Sequence, residues 1–303
     1  MDLKQLRALL AVSEHKSFSV AARALHTVQS NVSTHVSRLE REMGVLLIDR
    51  STNELTEEGR VVAERARRIE AEFAALESDI SSLRDEVRGR VRVGVIGTTA
   101  RWLVPKMLDA VSERHPAIQI VFLDATTTSL VPQLVAGQID LAVVNLPVSE
   151  PDVRIEPLFD EDRLLVAPKG HPLFGYESVT MTDLSQHPLL LEATGTSFRD
   201  DLDSDAARHG VALQAQAEVD GMRLLASLAF AGFGAAILPA SAAPTTLDGD
   251  WRRVPIEGLG GRSVGLASRR RGLPSAAERA VAELTKDVVR EHVPHQPGLH
   301  LPG

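Results

Sequence analysis

Ser17-Phe18-Ser19-Val20-Ala21-Ala22-Arg23-Ala24-Leu25-His26-Thr27-Val28-Gln29-Ser30-Asn31-Val32-Ser33-Thr34-His35-Val36-Ser37-Arg38-Leu39-Glu40 is the stretch on which the N-terminal fold turns. Ser19 is placed to cap a short alanine-rich helix, Val20–Leu25, whose small side chains allow close helix packing. His26-Thr27-Val28 is short enough to be a tight turn. A third helix runs from Gln29 to Met43 and stops at Gly44, a left-handed cap. In it Val32, Val36, Leu39 and Met43 form one apolar stripe. Gln29, Ser30, Asn31, Ser33, Thr34 and Ser37 lie on the other side, with Arg38 and Arg41 further round. Upstream, apolar residues at 3, 6, 9, 10 and 12 predict a first helix capped by Asp2. Short hydroxyls and amides reach base edges, and arginines reach phosphates, so this pattern fits a helix-turn-helix reader. A three-helix bundle with a solvated face fits the pattern alone equally well.

The residues also carry a resemblance. Ser17 to Ala22, Leu25 to Ser33, Leu39-Glu40, Gly44, Leu47, Asp49-Arg50 and Leu55-Thr56-Glu57-Glu58-Gly59 resemble, in fixed order over about 60 residues, the N-terminal domain of LysR-type transcriptional regulators. The resemblance implies a winged helix-turn-helix with Val45–Leu55 as the wing and Arg50 among the DNA contacts. Val28, Ser30 and Thr34 depart from residues common there (Ser or Thr, Pro, and Arg). Thr27 is therefore expected to cap the third helix in place of residue 28, and the operator becomes harder to guess.

After Gly59 neither proline nor glycine interrupts the chain up to Val87. Val62, Ala66, Ile69, Phe73, Leu76, Ile80, Leu83 and Val87 alternate spacings of four and three, an a/d seam with Arg65, Arg68, Glu72, Asp79 and Asp85 off it. A coiled-coil dimer is favoured over a helix packed on its own domain, and a two-fold reader needs such a dimer. Arg88-Gly89-Arg90 reads as the hinge.

Beyond residue 88, strand and helix patterns alternate, which predicts parallel sheets with right-handed crossovers. One set spans Arg90–Val144 and a second Leu164–Leu238. Two strands, Trp251–Pro255 and Ser263–Ser268, precede a last helix ending at His292. Leu134 to Ala142, Pro168 to Leu173, Glu218-Val219-Asp220 and Ala231-Gly232-Phe233-Gly234 resemble, more loosely, the effector-binding domain of the same regulators. The fold class expected is therefore α+β and multidomain: a winged helix-turn-helix (1–58), a linker helix (59–88) and a two-lobed effector domain of the periplasmic-binding type (89–303). Lobe I is expected to take 89–162 and 267–292, lobe II 163–266, and 293–303 to be disordered.

Strand C-termini and helix N-termini should line the cleft between lobes and favour an anionic effector. Thr98, Thr99, Thr127, Asn145 and Thr196 occupy such turns. The resemblance places Thr98, Thr127, Thr196 and Met222 at pocket positions. Helix capping explains each threonine equally well. Arg199 could pair with a bound carboxylate but fits a lobe ion pair better.

The chain has 303 residues, 33 Lys and Arg against 41 Asp and Glu, and no cysteine. Residues 1–60 are neutral, 61–87 carry −3 and 88–303 carry −5, so the acid resides away from the reader. The lack of cysteine excludes disulfides, thiol nucleophiles and thiol-based signals. No catalytic motif, metal cluster or cofactor loop stands out, and no run is long enough to span a membrane. The reading is a cytoplasmic, non-enzymatic regulator without cofactor or metal. Its partners would be double-stranded DNA, a small effector, copies of itself (dimer or tetramer) and the transcription machinery. The alternative is a solute-binding or enzymatic α/β domain with a helical dimerisation arm.

Overall fold

The structure, a computed structural model, describes residues 1–83, 87–243 and 249–303. The first helix, α1 (Leu3–His15), opens on a capping box. Asp2 accepts from the Gln5 backbone, and Gln5 accepts from that of Asp2. Helix α2 (Phe18–Ala24) is capped by Ser17 and not by Ser19. Ser17 has the extended backbone a cap needs, and its Oγ accepts from Val20 N. Helix α3 (Gln29–Met43) ends at left-handed Gly44 as expected, but its cap position is Val28, with no side-chain bond. Thr27 Oγ1 instead accepts from Asn31 Nδ2 at 2.9 Å. Met43, at the last position of α3, is exposed, whereas Val32, Val36 and Leu39 are fully buried against Leu6, Leu9, Val12, Leu47 and Ile48. The wing is β1 (Ile48–Asp49) paired with β2 (Glu54–Leu55), shorter than the hairpin expected over Val45–Leu55.

Helix α4 (Glu57–Ser82) starts where Thr56 Oγ1 accepts from Gly59 N. A Cβ at residue 59 would run into the carbonyl of Leu47, so glycine lets the helix start flush against the wing. The expected seam divides along this helix. Ala66 is buried, and with Val62 it packs on the reader core. Ile69, Phe73, Leu76 and Ile80, followed by Leu83 just past the helix end, are exposed. Val87 packs on the effector core, and Asp85 lies outside the described residues. Arg88 Nε donates to Ser81 Oγ at 2.7 Å.

Two sheets follow. Strands β3 (Gly89–Val95), β4 (Ile118–Asp124), β5 (Leu141–Asn145) and β6 (Val153–Glu161) start the first, with α5 (Gly97–Arg114) and α6 (Thr127–Val135) between them. The chain crosses at Asp162 into the second. That sheet holds β7 (Arg163–Pro168), β8 (Leu189–Glu192), β9 (Ala215–Val219), β10 (Ala236–Pro239) and β11 (Trp251–Pro255), with α7 (Met181–Ser185), α8 (Ser197–Arg208) and α9 (Met222–Phe230). It returns through β12 (Arg262–Arg269), α10 (Ala276–His292) and β13 (Leu299–His300). The orders are β13-β6-β12-β5-β3-β4 and β11-β7-β10-β8-β9.

Neither sheet is purely parallel, contrary to expectation. The triplets β4-β3-β5 and β10-β8-β9 are parallel. Strand β12 runs antiparallel to β5 and β6, and β7 antiparallel to β10 and β11. The two crossings between sheets bring these strands in reversed. Strand β12 belongs wholly to the first sheet, so the return to lobe I precedes residue 262 and not 267. Strand β6 was not anticipated, because Pro157 interrupts its pattern; the structure sets Pro157 at a bulge opposite Gly265.

The segment 293–303, expected to be disordered, is held down. Val293 and Leu299 are buried, and β13 pairs with β6. Asp162 N donates to Gly298 O at 2.8 Å, and His300 Nε2 lies 3.0 Å from Asp162 Oδ1. Two apolar side chains and a sheet edge needing a partner outweigh the segment's polar composition.

Candidate nucleic-acid interface and interlobe cleft

Helix α3 turns its apolar stripe into the reader core and leaves its polar face outward. Gln29 and Ser30 are exposed and Ser33 half-buried; among the described residues none of the three makes a side-chain hydrogen bond. Asn31 is tied to Thr27, and Thr34 Oγ1 donates to Ser30 O at 2.8 Å. Arg38 pairs with Glu42 one turn on, at 3.2 Å, and stays exposed. Among the described residues the uncapped start of α3 leaves the N–H groups of Gln29 and Ser30 without an acceptor, whereas Asn31 N donates to Val28 O at 3.1 Å.

Arg50 is less free than its place in the sequence suggested. Its Nη2 donates to Glu40 Oε2 at 2.8 Å and to Ser37 Oγ at 3.3 Å, and its guanidinium lies 4.9 Å from the Phe18 ring centroid. Glu40 is buried, and its other oxygen accepts from Leu47 N (3.0 Å) and Ile48 N (3.2 Å). Sequence reasoning counted Glu40 within the resemblance but gave it no role. Its signal was position, since Glu40 directly follows the buried Leu39 on the apolar side of the helix.

In the first lobe, Thr98, Thr99, Thr127 and Asn145 stand at the C-terminal ends of parallel strands, as expected. Thr127 Oγ1 accepts from Asn145 N at 3.0 Å, holding α6 to β5. Thr99 Oγ1 and Asn145 Oδ1 are buried without a hydrogen-bond partner among the described residues. Thr98 Oγ1 accepts from Arg262 Nη2 at 2.7 Å. Arg262 in turn reaches Glu161, which has no exposed side chain, through Nη2 at 2.6 Å and Nε at 2.7 Å; Ser241 N completes the site by donating to Glu161 at 2.9 Å. This pair sits where β6 gives way to β7, and neither member was anticipated. The nearest sign was the charged run Glu161-Asp162-Arg163 between two apolar stretches.

In the second lobe Thr196 caps α8, accepting from Arg199 N at 3.3 Å. Met222 packs against the cores of both lobes. Arg199 is consumed by Asp203 (2.9 Å), Glu218 (3.0 Å) and the Glu192 carbonyl. Burial pushes the Glu192 carboxyl above its ordinary range. Across the cleft mouth Arg223 of α9 pairs with Asp124 at the end of β4.

The linker helix meets the sensor at the start of α10. Asp79 Oδ1 accepts from Ala276 N (2.8 Å) and Ser78 Oγ from Ala277 N (3.2 Å), so α4 caps α10. Beside this cap Arg269 lies 3.8 Å from Asp140 and 3.7 Å from Glu278. Burial, then repulsion by Asp140, raises Glu278 to about 7, with Glu72 of α4 adding to it. A carboxyl raised on folding stabilises fully below its unfolded pKa, and that contribution is lost as pH rises through the folded one. E278Q should match the parent near pH 4 in thermal or denaturant unfolding and exceed it by roughly 2–3 kcal/mol at pH 8. A difference that does not grow with pH would refute this.

A winged reader on a long helix, joined to a two-lobed α/β sensor, defines a ligand-responsive DNA-binding regulator. The pattern of the bacterial regulatory helix-turn-helix proteins of the lysR family matches residues 3–60, and that of the LysR substrate binding domain matches 84–290. The chain belongs to the LysR family of transcriptional regulators. It is 33% identical to a probable hydrogen peroxide-inducible genes activator of Streptomyces viridosporus, over 96% of this chain and 95% of that one. A cysteine-to-aspartate form of full-length OxyR from Pseudomonas aeruginosa has a similar structure (TM-score 0.76, 25% identity, 96% and 95% covered). So does CbnR in complex with its target DNA (TM-score 0.69, 26% identity, 96% and 99% covered). Among the described residues no helix is long and apolar enough to cross a membrane.

Proposed function

We propose that the chain is a cytoplasmic, non-enzymatic regulator that reads two half-sites as a dimer. Residues 1–58 serve as reader, 59–88 as linker and the rest as effector domain. The observation that carries this is helix α3, whose one face is fully buried while Gln29, Ser30 and Ser33 on the other are unengaged. In this reading Gln29, Ser30, Asn31, Ser33 and Thr34 face bases, and Ser37, Arg38 and Arg50 face the backbone. A small molecule binds between the lobes at Thr98, Thr99, Thr127, Asn145, Thr196 and Met222. The two unpartnered polar atoms there, on Thr99 and Asn145, support that site. Its binding shifts the lobes, and α4 carries the shift to the readers through its cap on α10. The relatives' names speak of hydrogen peroxide, but this chain has no cysteine, so its signal is not read by a thiol.

The test replaces Ser33 and Arg38 together by Ala. Binding to duplexes that the parent protein selects from fragmented genomic DNA should fall at least tenfold, with the dimer and its unfolding temperature unchanged. Undiminished binding would remove α3 as the reader.

A further inference from the structure

We propose that Glu40 is a positioning residue for DNA recognition: it aims Arg50 at the DNA backbone and sets the wing against the recognition helix. The inference rests on α3 being the reader. One carboxylate performs both tasks, because each of its oxygens faces a different element. Oε1 takes the N–H groups of Leu47 and Ile48, where the chain turns into β1. Oε2 takes Arg50 Nη2. Glu40 is buried and Arg50 exposed, so the pair runs from the domain interior to its surface.

The remaining contacts of Arg50 narrow its direction. Ser37 Oγ accepts from the same Nη2 atom, and the Phe18 ring supports the guanidinium from the side. Nη1 and Nε make no hydrogen bond among the described residues and remain available to a phosphate. A carboxylate on one edge of a guanidinium fixes the direction of the other donors, which a flexible arginine would otherwise sample at an entropic cost. Glu40 thus acts through Arg50 and the wing without touching DNA.

This reading opposes the expectation from charge alone. Removing a carboxylate near the duplex weakens repulsion, so E40Q should then bind more tightly. If Glu40 positions Arg50, E40Q binds less tightly even though its amide oxygen still accepts from Leu47 N and Ile48 N. The full-length protein is titrated against a duplex selected by the parent, at several salt concentrations, for the parent, E40Q, R50A and the double variant. R50A should lose about one phosphate contact per reader, two per dimer, a fall in the log–log salt slope of about 1.8. E40Q should lose five- to tenfold in affinity and share most of that slope change. The double variant should match R50A.

Tighter binding by E40Q would overturn the proposal. So would an unchanged salt slope, or losses that add in the double variant, since a merely structural glutamate lowers affinity without touching the Arg50 contact. Unfolding of each variant by circular dichroism is the control. Should E40Q lose stability, E40D replaces it: the shorter carboxylate keeps the charge but not the reach to both partners, and it must show the same slope change for the proposal to stand.

Discussion

Replacing Phe73 and Leu76 together by Asp should convert the dimer to a monomer and lower operator affinity at least 100-fold. Both side chains are exposed in the single chain, 48% for Phe73 and 59% for Leu76. They line an open groove of about 500 Å³ with Ile69, Arg65, Arg68 and Glu72. Fully burying a side chain of this kind stabilises by roughly 1.5–3 kcal/mol, and about half of each remains to be covered, so two from each chain contribute on the order of 3–6 kcal/mol to the pair. Aspartate at those sites replaces the gain with buried, like charges. Losing the partner also removes avidity, about 10²–10⁴ for two linked readers. The acidic linker and sensor leave little non-specific attraction to compensate. Sedimentation and a binding titration measure the two effects. A variant that stays dimeric would move the interface away from α4.

The second large effect lies inside the sensor. Arg262→Met should destabilise it by about 3–5 kcal/mol, because Glu161 would keep a buried charge with only Ser241 N as partner among the described residues. For a domain of this size that corresponds to a fall in unfolding temperature of roughly 10 °C. Replacing both Glu161 and Arg262 by Met should recover most of the loss, since an apolar pair of similar volume carries no desolvation penalty. Calorimetry on the two single variants and the double completes the cycle. A double variant as unstable as R262M would mean that the pair is not what holds the crossing strands together. Arg262 also holds Thr98, so R262M frees that hydroxyl and should alter the effector response as well.

Some of this was legible in the residue order because it depends on neighbours along the chain. The 4-3 spacing of Val32, Val36 and Leu39 requires a helix with one buried face, and Gly44 supplies the left-handed stop. Strand β11 has the bounds the sequence predicts, Trp251–Pro255, and β12 exceeds its predicted Ser263–Ser268 by one residue at each end. Other features failed for local reasons. Ser17 and Ser19 are equal as caps on paper, and backbone conformation chose between them. Val62 and Ala66 fit the heptad spacing but pack inward, since spacing says which side chains share a face and not what covers that face.

By itself the sequence determined the order of the parts, the family, the polar face of α3 and the exclusion of thiol chemistry. All four follow from residue type and short-range period. Only the tertiary structure decided the mixed sheets, the capture of the C-terminal segment, the Glu161–Arg262 pair and the hold of Glu40 on Arg50. Each of these joins groups far apart in the chain or on different elements, and their stability comes from burial and geometry that no local pattern records. Arg50 and Thr98, read as free binding groups, proved to be held by partners that folding brought to them.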